Sequence, residues 1–195
     1  MPSTLHNKIA GRLRMKLNKF IEQCLEDYRR RVYGAVGPLS EEEMHWRPDA
    51  ESNCIAFLIW HSARVEDRLI NVFARGTDEV WLRDGWSAKT GISEGDHGVN
   101  YTLDQVAAFP VITKDQLQEY FDSVREGTLE YLRGLSDDNF DEVPLDRSPF
   151  PENPASVRYF SGRNVGSIMR QLIGEQDQHL GQVSFVRGLK RGFGK

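Results

Sequence analysis

VGSIMRQLIGEQDQHLGQVSFVRG, residues 165–188, is the stretch that decides the fold, because its apolar side chains recur at the spacing of one helix face. That face carries Val165, Ile168, Met169, Leu172, Gln176, Val183 and Val186. Glu175 and His179 interrupt it one turn apart, although a buried carboxylate is costly unless it is paired or bound to a metal. Side chains four residues apart point the same way, so the two could bind one metal ion or hydrogen-bond to each other in the core.

Composition describes an ordinary globular protein. The chain has 195 residues, of which 39% are hydrophobic and 28% charged, enough for one domain over residues 1–195 with a sizeable core. The net charge of -4 gives no electrostatic footprint for nucleic acid. No apolar run is long enough to cross a membrane, and we expect no membrane partner.

The two cysteines, Cys24 and Cys54, form no CxxC pattern and fall on apolar helix faces. We expect them to be core thiols of a cytoplasmic protein, because a reducing compartment keeps thiols unpaired. Cys54 lies near the start of a helix, where a lowered pKa would make a thiol reactive, so it is also a candidate nucleophile.

The periodic segments predict an all-α fold, a four-helix bundle with a long crossover loop between helices 2 and 3. The helices are expected near residues 5–34, 53–75, 114–133 and 164–189, with residues 188–195 as a frayed tail. Capping-box patterns begin at Ser40, at Thr102 and at Thr113, where the third helix starts. No alternating strand pattern interrupts these segments.

The second helix places His61 on its inner face, between Leu58 and Val65. A single histidine on such a face is more often a satisfied core residue than a ligand. Glu66 and Asp67 point away from the apolar stripe and are predicted to be solvated or to lie at a partner surface. Trp60 also falls off the stripe, and an exposed aromatic there suggests a subunit interface.

Residues 77–112 form a connection too long to be idle in a compact domain. They contain Trp81 and Trp86, whose large rings indicate that the segment packs over another surface. One interpretation places it at the mouth of a site or at an interface, with a tryptophan as a wall. The other is a crossover packed against the bundle, with the tryptophans as anchors.

A weak internal repeat relates the two halves of the chain. The second helix contains LIWH and later FARG, and the fourth contains LIGE and later FVRG. Overlaying them sets His61 opposite Glu175 across the bundle axis. His61, Glu175 and His179 then converge, and we predict that their head groups lie within about 5 Å of one another as ligands of one metal ion.

The chain resembles the DinB-like metalloenzyme superfamily of bacterial four-helix bundles. The resemblance is carried by NCIAFLIWHSARVED over residues 53–67, by Gly85-Trp86, and by EQDQHLGQVSFVRG over residues 175–188. It extends over nearly the whole chain through helix order and loop placement. Members of that family hold a divalent metal with three histidines, one from the second helix and an i, i+4 pair from the fourth.

Carried onto this chain, the resemblance implies His61 and His179 as ligands, with Glu175 where the family has its remaining histidine. Two histidines and a carboxylate suit Zn first, with Ni, Fe or Mn as alternatives. The substitution could equally mark a relative that has lost its metal. Similar proteins include thiol-dependent transferases acting with bacillithiol or mycothiol, and they are often homodimers.

These residues and the resemblance suggest two alternative functions. One is a metal-dependent enzyme, a hydrolase or a thiol S-transferase, in which the metal activates water or a thiol. The alternative is a metal-free bundle that binds a small molecule or acts as a dimeric interaction protein. A homodimer and an unidentified small-molecule substrate are the expected partners.

Overall fold

The structure is a computed structural model, and it describes residues 15–144 and 148–192. The predicted all-α class is confirmed, since these residues form helices and turns and contain no strand. Within the same residues, no helix is both long enough and apolar enough to cross a membrane. The predicted helical residues 5–14 lie outside the described part of the chain.

Four long helical segments account for most of the described chain. They are α1 (Leu17–Val36), α3 (Ile55–Asp67) with its π-helical continuation (Arg68–Arg75), α7 (Lys114–Gly134) and α9 (Val165–Arg191). The second segment ends where predicted, at Gly76, whose left-handed φ of 66° is readily adopted by glycine. Helix α1 packs on α7 and α9, and α3 packs on the same two helices.

The shorter elements connect these segments. They are α2 (Glu41–His45), α4 (Val80–Arg83), α5 (Trp86–Thr90), α6 (Leu103–Ala107), a 3-10 helix (Asp137–Asp141) and α8 (Pro154–Phe160). The predicted capping boxes are confirmed at Ser40, Thr102 and Thr113, where each hydroxyl accepts from a backbone N–H three residues on. These caps satisfy N–H groups that a helix start otherwise leaves without a partner.

The direction of α9 relative to α3 follows from residue pairs along their interface. Gln176 on α9 donates to Glu66 on α3 at 2.6 Å, and His179 meets His61 further along. Numbers rise along one helix as they fall along the other, so the two helices are antiparallel. This arrangement places the first turns of α3 beside the last turns of α9.

Helix α3 is buried on every side, which corrects two predictions. Glu66 and Asp67 are fully buried, and Trp60 is 1% exposed. The apolar stripe covers only one face, but residues 77–112 cover another, and Trp60 packs there against Trp81 and Phe109. Trp60 is therefore a core residue and gives no support to a subunit interface.

The buried carboxylates of α3 have hydrogen-bond partners on other parts of the chain, and Asp67 also lies 3.7 Å from Arg64 on the same helix. Arg125 on α7 makes two hydrogen bonds to the Glu66 carboxylate, at 2.9 and 2.8 Å. Asp67 accepts from the Tyr120 hydroxyl and from the backbone N–H groups of Val80 and Trp81. Because buried carboxylates are tolerated when they are paired, these contacts explain why both lie in the core.

The C-terminal segment is more ordered than predicted. Helix α9 continues through Gly188 to Arg191, and the predicted frayed tail beyond Gly192 lies outside the described residues. Arg191 binds both carboxylate oxygens of Glu43 at 2.6 Å and also donates to the Pro38 carbonyl. These contacts fix the last turn of α9 against α2, which explains why a glycine does not end the helix.

Candidate functional site

The two predicted histidines lie face to edge between α3 and α9. The ring centroids of His61 and His179 are 5.0 Å apart, and the ring planes are nearly perpendicular at 88°. Both residues are buried, with 8% and 9% of their surface exposed. His61 therefore lies on the inner side of its helix, as predicted, and its ring contacts that of His179 across the helix interface.

The His61 ring is held by the segment of residues 77–112. Its Nδ1–H donates to the backbone carbonyl of His97 at 2.6 Å, and the ring stacks on Phe57 with an angle of 3° between the planes. Because a carbonyl oxygen only accepts, Nδ1 must carry the hydrogen, and Nε2 keeps its lone pair. Burial lowers the pKa of His61 to about 4, so the ring is neutral at pH 7.

A glycine is required where the segment of residues 77–112 passes this ring. Gly98 has a φ of 77°, and a Cβ atom at this position would lie 2.9 Å from His61 Nδ1 and 2.8 Å from Trp60 Cζ3. Both distances are shorter than real Cβ contacts, and the backbone conformation disfavours any other residue. Gly98 thus permits the close approach that brings the His97 carbonyl onto His61.

The segment of residues 77–112 is itself held by the buried Arg64 guanidinium. This group donates to the backbone carbonyls of Asp96 at 3.0 Å and Glu94 at 3.3 Å, and it forms an ion pair with Glu79. Arg64 also lies over the Trp81 ring, 4.7 Å from its centroid. A chain of contacts therefore runs from Glu79 through Arg64 to the segment that orients His61.

His179 is oriented from its own helix. Its Nδ1 lies 2.7 Å from Oε1 of Gln182, one turn further along α9. When Nδ1–H of the neutral ring donates to this oxygen, the lone pair lies on Nε2, whereas a hydrogen on Nε2 would point at Glu175. That Nε2 atom is buried and has no well-aligned hydrogen-bond partner among the residues described.

Glu175 lies at the edge of the same site. Its Oε2 is 3.4 Å from His179 Nε2, at the long limit for a hydrogen bond, and 34% of its side-chain surface is exposed. The pKa of Glu175 is lowered, mainly by hydrogen bonding with the His179 ring, which requires a hydrogen on Nε2, and against the opposing effect of burial. The carboxylate is therefore ionised at neutral pH and reaches the histidines from the solvent side.

The donor chemistry of these three residues fits a divalent metal ion. Metal-bound histidines usually give their second ring N–H to an oxygen acceptor, and both rings do so here. As their side chains are now placed, however, no three His, Cys, Asp or Glu residues within 15–144 and 148–192 form a group that could hold a metal. Two imidazoles are brought together, with a carboxylate beside one of them.

Residues 77–112 contribute to the site in a way that the sequence did not indicate. Trp81 and Trp86 are buried in the core, where both pack against Tyr120, so they act as anchors and the predicted tryptophan wall is wrong. The contact with the site comes from the His97 carbonyl and Gly98. An Asp-His-Gly sequence within a loop was the available signal, since glycine marks tight turns.

Neither cysteine belongs to the site. Cys54 is buried at the start of α3, and burial raises the pKa of its thiol. Burial also raises the pKa of the Cys24 thiol on α1. A raised pKa lowers the thiolate fraction at neutral pH, so the candidate role of Cys54 as a nucleophile receives no support.

Comparisons with known proteins agree with this architecture. The family model described as DinB superfamily matches residues 25–183, which is most of the chain. A crystal structure described as that of the conserved protein of locus from Enterococcus faecalis is similar in fold, with a TM-score of 0.73 and 21% sequence identity. The match covers 90% of this chain and 98% of that chain. No curated protein matches the sequence.

Proposed function

Because the chain belongs to the DinB superfamily, we propose that it is a divalent-metal-dependent enzyme whose ligands are His61, Glu175 and His179. We also infer that α1, α3, α7 and α9 form one four-helix bundle, with residues 77–112 as the crossover between its second and third helices. The antiparallel packing of α3 and α9 supports this, as do the contacts that each makes with α1 and α7.

One observation carries the metal proposal: two buried imidazoles meet with both Nδ1 atoms already bonded to oxygen acceptors. A structural histidine in a core normally has a partner for each ring nitrogen. Here Nε2 of His179 is buried without a well-aligned partner, which is costly unless something else binds it. A metal ion would accept that lone pair and the corresponding one on His61.

Each residue has a distinct task in this proposal. His61 supplies a neutral nitrogen, since its lowered pKa keeps the ring unprotonated at pH 7. Glu175 supplies the negative charge, and its partial exposure leaves one side of the site accessible to a substrate. His97 and Gln182 act through the ligands, because their oxygens fix the tautomer of each ring.

The ion that this set favours is Zn, with Ni, Fe and Mn as alternatives, because two histidines and one carboxylate suit each of them. When bound, such an ion supplies a Lewis acid that activates water or a thiol. The reaction class proposed is therefore hydrolysis or S-transfer, with a thiol of the bacillithiol or mycothiol type as the co-substrate in the second case. We further propose a cytoplasmic homodimer, for which light scattering at twice the chain mass of 22.4 kDa is the test.

Metal analysis tests the proposal directly. We expect protein purified without a histidine tag to retain about one divalent ion per chain, and Glu175→Ala and His61→Ala to lose it. Glu130→Ala is the matched control, since Glu130 is an exposed glutamate on α7 away from the site. Metal retained equally in all four proteins would contradict the ligand assignment.

The alternative of a metal-free bundle is supported by a separate observation. As placed, His179 and Glu175 already form a contact at 3.4 Å, and no three-residue metal group is assembled among the described residues. In this alternative the two residues form a structural pair at the edge of the core. Wild-type protein that binds no metal at saturating Zn would favour this alternative.

A further inference from the structure

A groove opens beside the histidine pair, between α9 and the segment that leads into α3. Its volume is about 640 Å³, within the range of small-molecule sites. It adjoins the site on both helices, because Leu58 lies one turn before His61 and Gln182 lies one turn after His179. A molecule in this groove would therefore lie next to the ligands of the proposed centre.

Three carboxamide side chains line the groove, from Asn53, Gln178 and Gln182. Gln182 is already bonded through one end of its amide, since Oε1 accepts from His179. The opposite end, the Nε2 amide group, donates to no other group within the described part of the chain. The carboxamides of Asn53 and Gln178 likewise have no side-chain hydrogen bond there. These groups leave both donors and acceptors available to a ligand.

The remaining lining selects against negatively charged ligands. It contains no Lys or Arg, and its one charged residue is Asp49. Hydrogen bonding from the Ser52 hydroxyl lowers the pKa of Asp49, so this carboxylate is ionised and would repel an anion. Leu58, Phe185 and Val186 provide apolar surface, and Phe185 is 67% exposed, so the groove has room for an apolar group.

We propose that this groove binds an uncharged amide that carries an apolar substituent, as part of the substrate of the neighbouring centre. The Nε2 group of Gln182 donates to the carbonyl oxygen of the ligand, while Oε1 of the same side chain continues to hold His179. An amide matches the lining because it offers both a donor and an acceptor to the carboxamides. The substituent packs on Phe185 and Leu189, which are 67% and 52% exposed and whose apolar surface is otherwise in water.

The inference rests on the proposed function only in treating the ligand as a substrate of the metal centre. Binding in the groove needs no metal, so ligand binding and metal binding can be tested separately. The probe is N-acetyl-L-leucinamide, titrated into metal-free 15N-labelled protein and followed through the side-chain amide resonances. We expect saturable shifts of the Gln182, Gln178 and Asn53 amides, and weaker binding of N-acetyl-L-leucine, which carries a carboxylate.

Gln182→Leu is the variant that tests the contact, and it is suitable because residue 182 is exposed and its replacement fits on a helix surface. Binding should weaken about fivefold, as expected for one lost neutral hydrogen bond. The 15N shifts of His179 should also change, because Nδ1–H loses its acceptor. Gln23→Leu, an exposed residue on α1 outside this groove, is the matched control and should change neither.

Shifts that fail to saturate up to the solubility of the probe, or equal affinities for wild type and Gln182→Leu, would overturn the proposal. Equal binding of the charged and uncharged probes would do the same, because it would remove the charge selection. Saturable binding in a protein that never takes up metal would leave the groove in place and contradict the proposed function. Metal uptake without probe binding would support the proposed function and overturn the proposal for the groove.

Discussion

His61 and His179 contact each other through rings whose centroids are 5.0 Å apart, and each gives its Nδ1–H to an oxygen acceptor. The acceptors come from different places: a backbone carbonyl of the crossover for His61, and a glutamine of the same helix for His179. The orientation of one ring therefore depends on the packing of residues 77–112, while that of the other is local. Substitutions in the crossover should affect the site through His61 alone.

Gly98→Ala tests this dependence on the crossover. The substitution forces a left-handed backbone on alanine, at about 1–2 kcal/mol, and its Cβ would contact His61 Nδ1 and Trp60. We expect lower stability in urea unfolding and weaker metal binding, since the His97 carbonyl must move away from His61. Gly95→Ala is the matched control, because a Cβ there meets nothing within 4 Å and its φ is unstrained. Equal stability and metal affinity in both variants would contradict this reading of the crossover.

The Arg125–Glu66 pair should be among the most sensitive positions in the core. Both side chains are fully buried, so Glu66→Leu leaves an uncompensated guanidinium, and we expect a loss of about 3–5 kcal/mol in the free energy of unfolding. The pair of Arg133 and Glu22 offers a comparison, because the Arg133 side chain is 56% exposed, and Arg133→Ala should cost less than about 1 kcal/mol. Chemical denaturation of both variants measures the difference. A small effect of Glu66→Leu would mean that the guanidinium finds other partners.

The contact between Glu43 and Arg191 predicts a pH dependence at the end of α9. Hydrogen bonding from Arg191 lowers the pKa of Glu43 to about 2, against an ordinary value of 4.5. A carboxyl with a lowered folded-state pKa stabilises the protein above the unfolded-state value, and that contribution is lost as pH falls through the folded-state value. The melting temperature of wild type should exceed that of Glu43→Gln at pH 6, and the gap should close between about pH 4.5 and pH 2.

Other carboxyl groups titrate in the same pH range, so the informative quantity is the difference between the two proteins. A gap that stays constant from pH 6 to about pH 2 would show that ionised Glu43 contributes nothing to the stability of the last turn. Such a result would also remove the physical reason given for the continuation of α9 past Gly188.

Much of the helical framework could be predicted from the sequence because its signals are local. The capping boxes at Ser40 and Thr113 depend on residues three positions apart, and the inner position of His61 follows from helical spacing. The contact between His179 and Gln182 is also local, since residues three apart share a helix face. The sequence therefore contained the signal for this contact, although the contact was not predicted.

The burial of Glu66 and Trp60 could not be predicted in the same way. The partner of Glu66 is Arg125, 59 residues away, and Trp60 is covered by Trp81 from the crossover. Helical periodicity identifies one buried face and gives no information about a second layer supplied by a distant segment. For the same reason, the His97 carbonyl was missed as a partner of His61, because a backbone atom leaves no mark in the residue pattern.

Substitution of Glu175 separates the metal centre from a structural pair. If Glu175 is a ligand, it binds as the carboxylate, and replacement by histidine supplies a neutral nitrogen at the position where the family is expected to have one. Glu175→His should therefore keep or tighten metal binding, whereas Glu175→Ala should weaken it by at least about tenfold, since even the loss of a group that hydrogen-bonds to a ligand costs that much. Competition with a chelator at neutral pH measures all three proteins side by side. If Glu175 is only a partner of His179, the three proteins will bind no metal and will differ in stability alone. Equal metal affinity in wild type and Glu175→Ala would remove Glu175 from the ligand set and leave the two histidines to be tested by themselves.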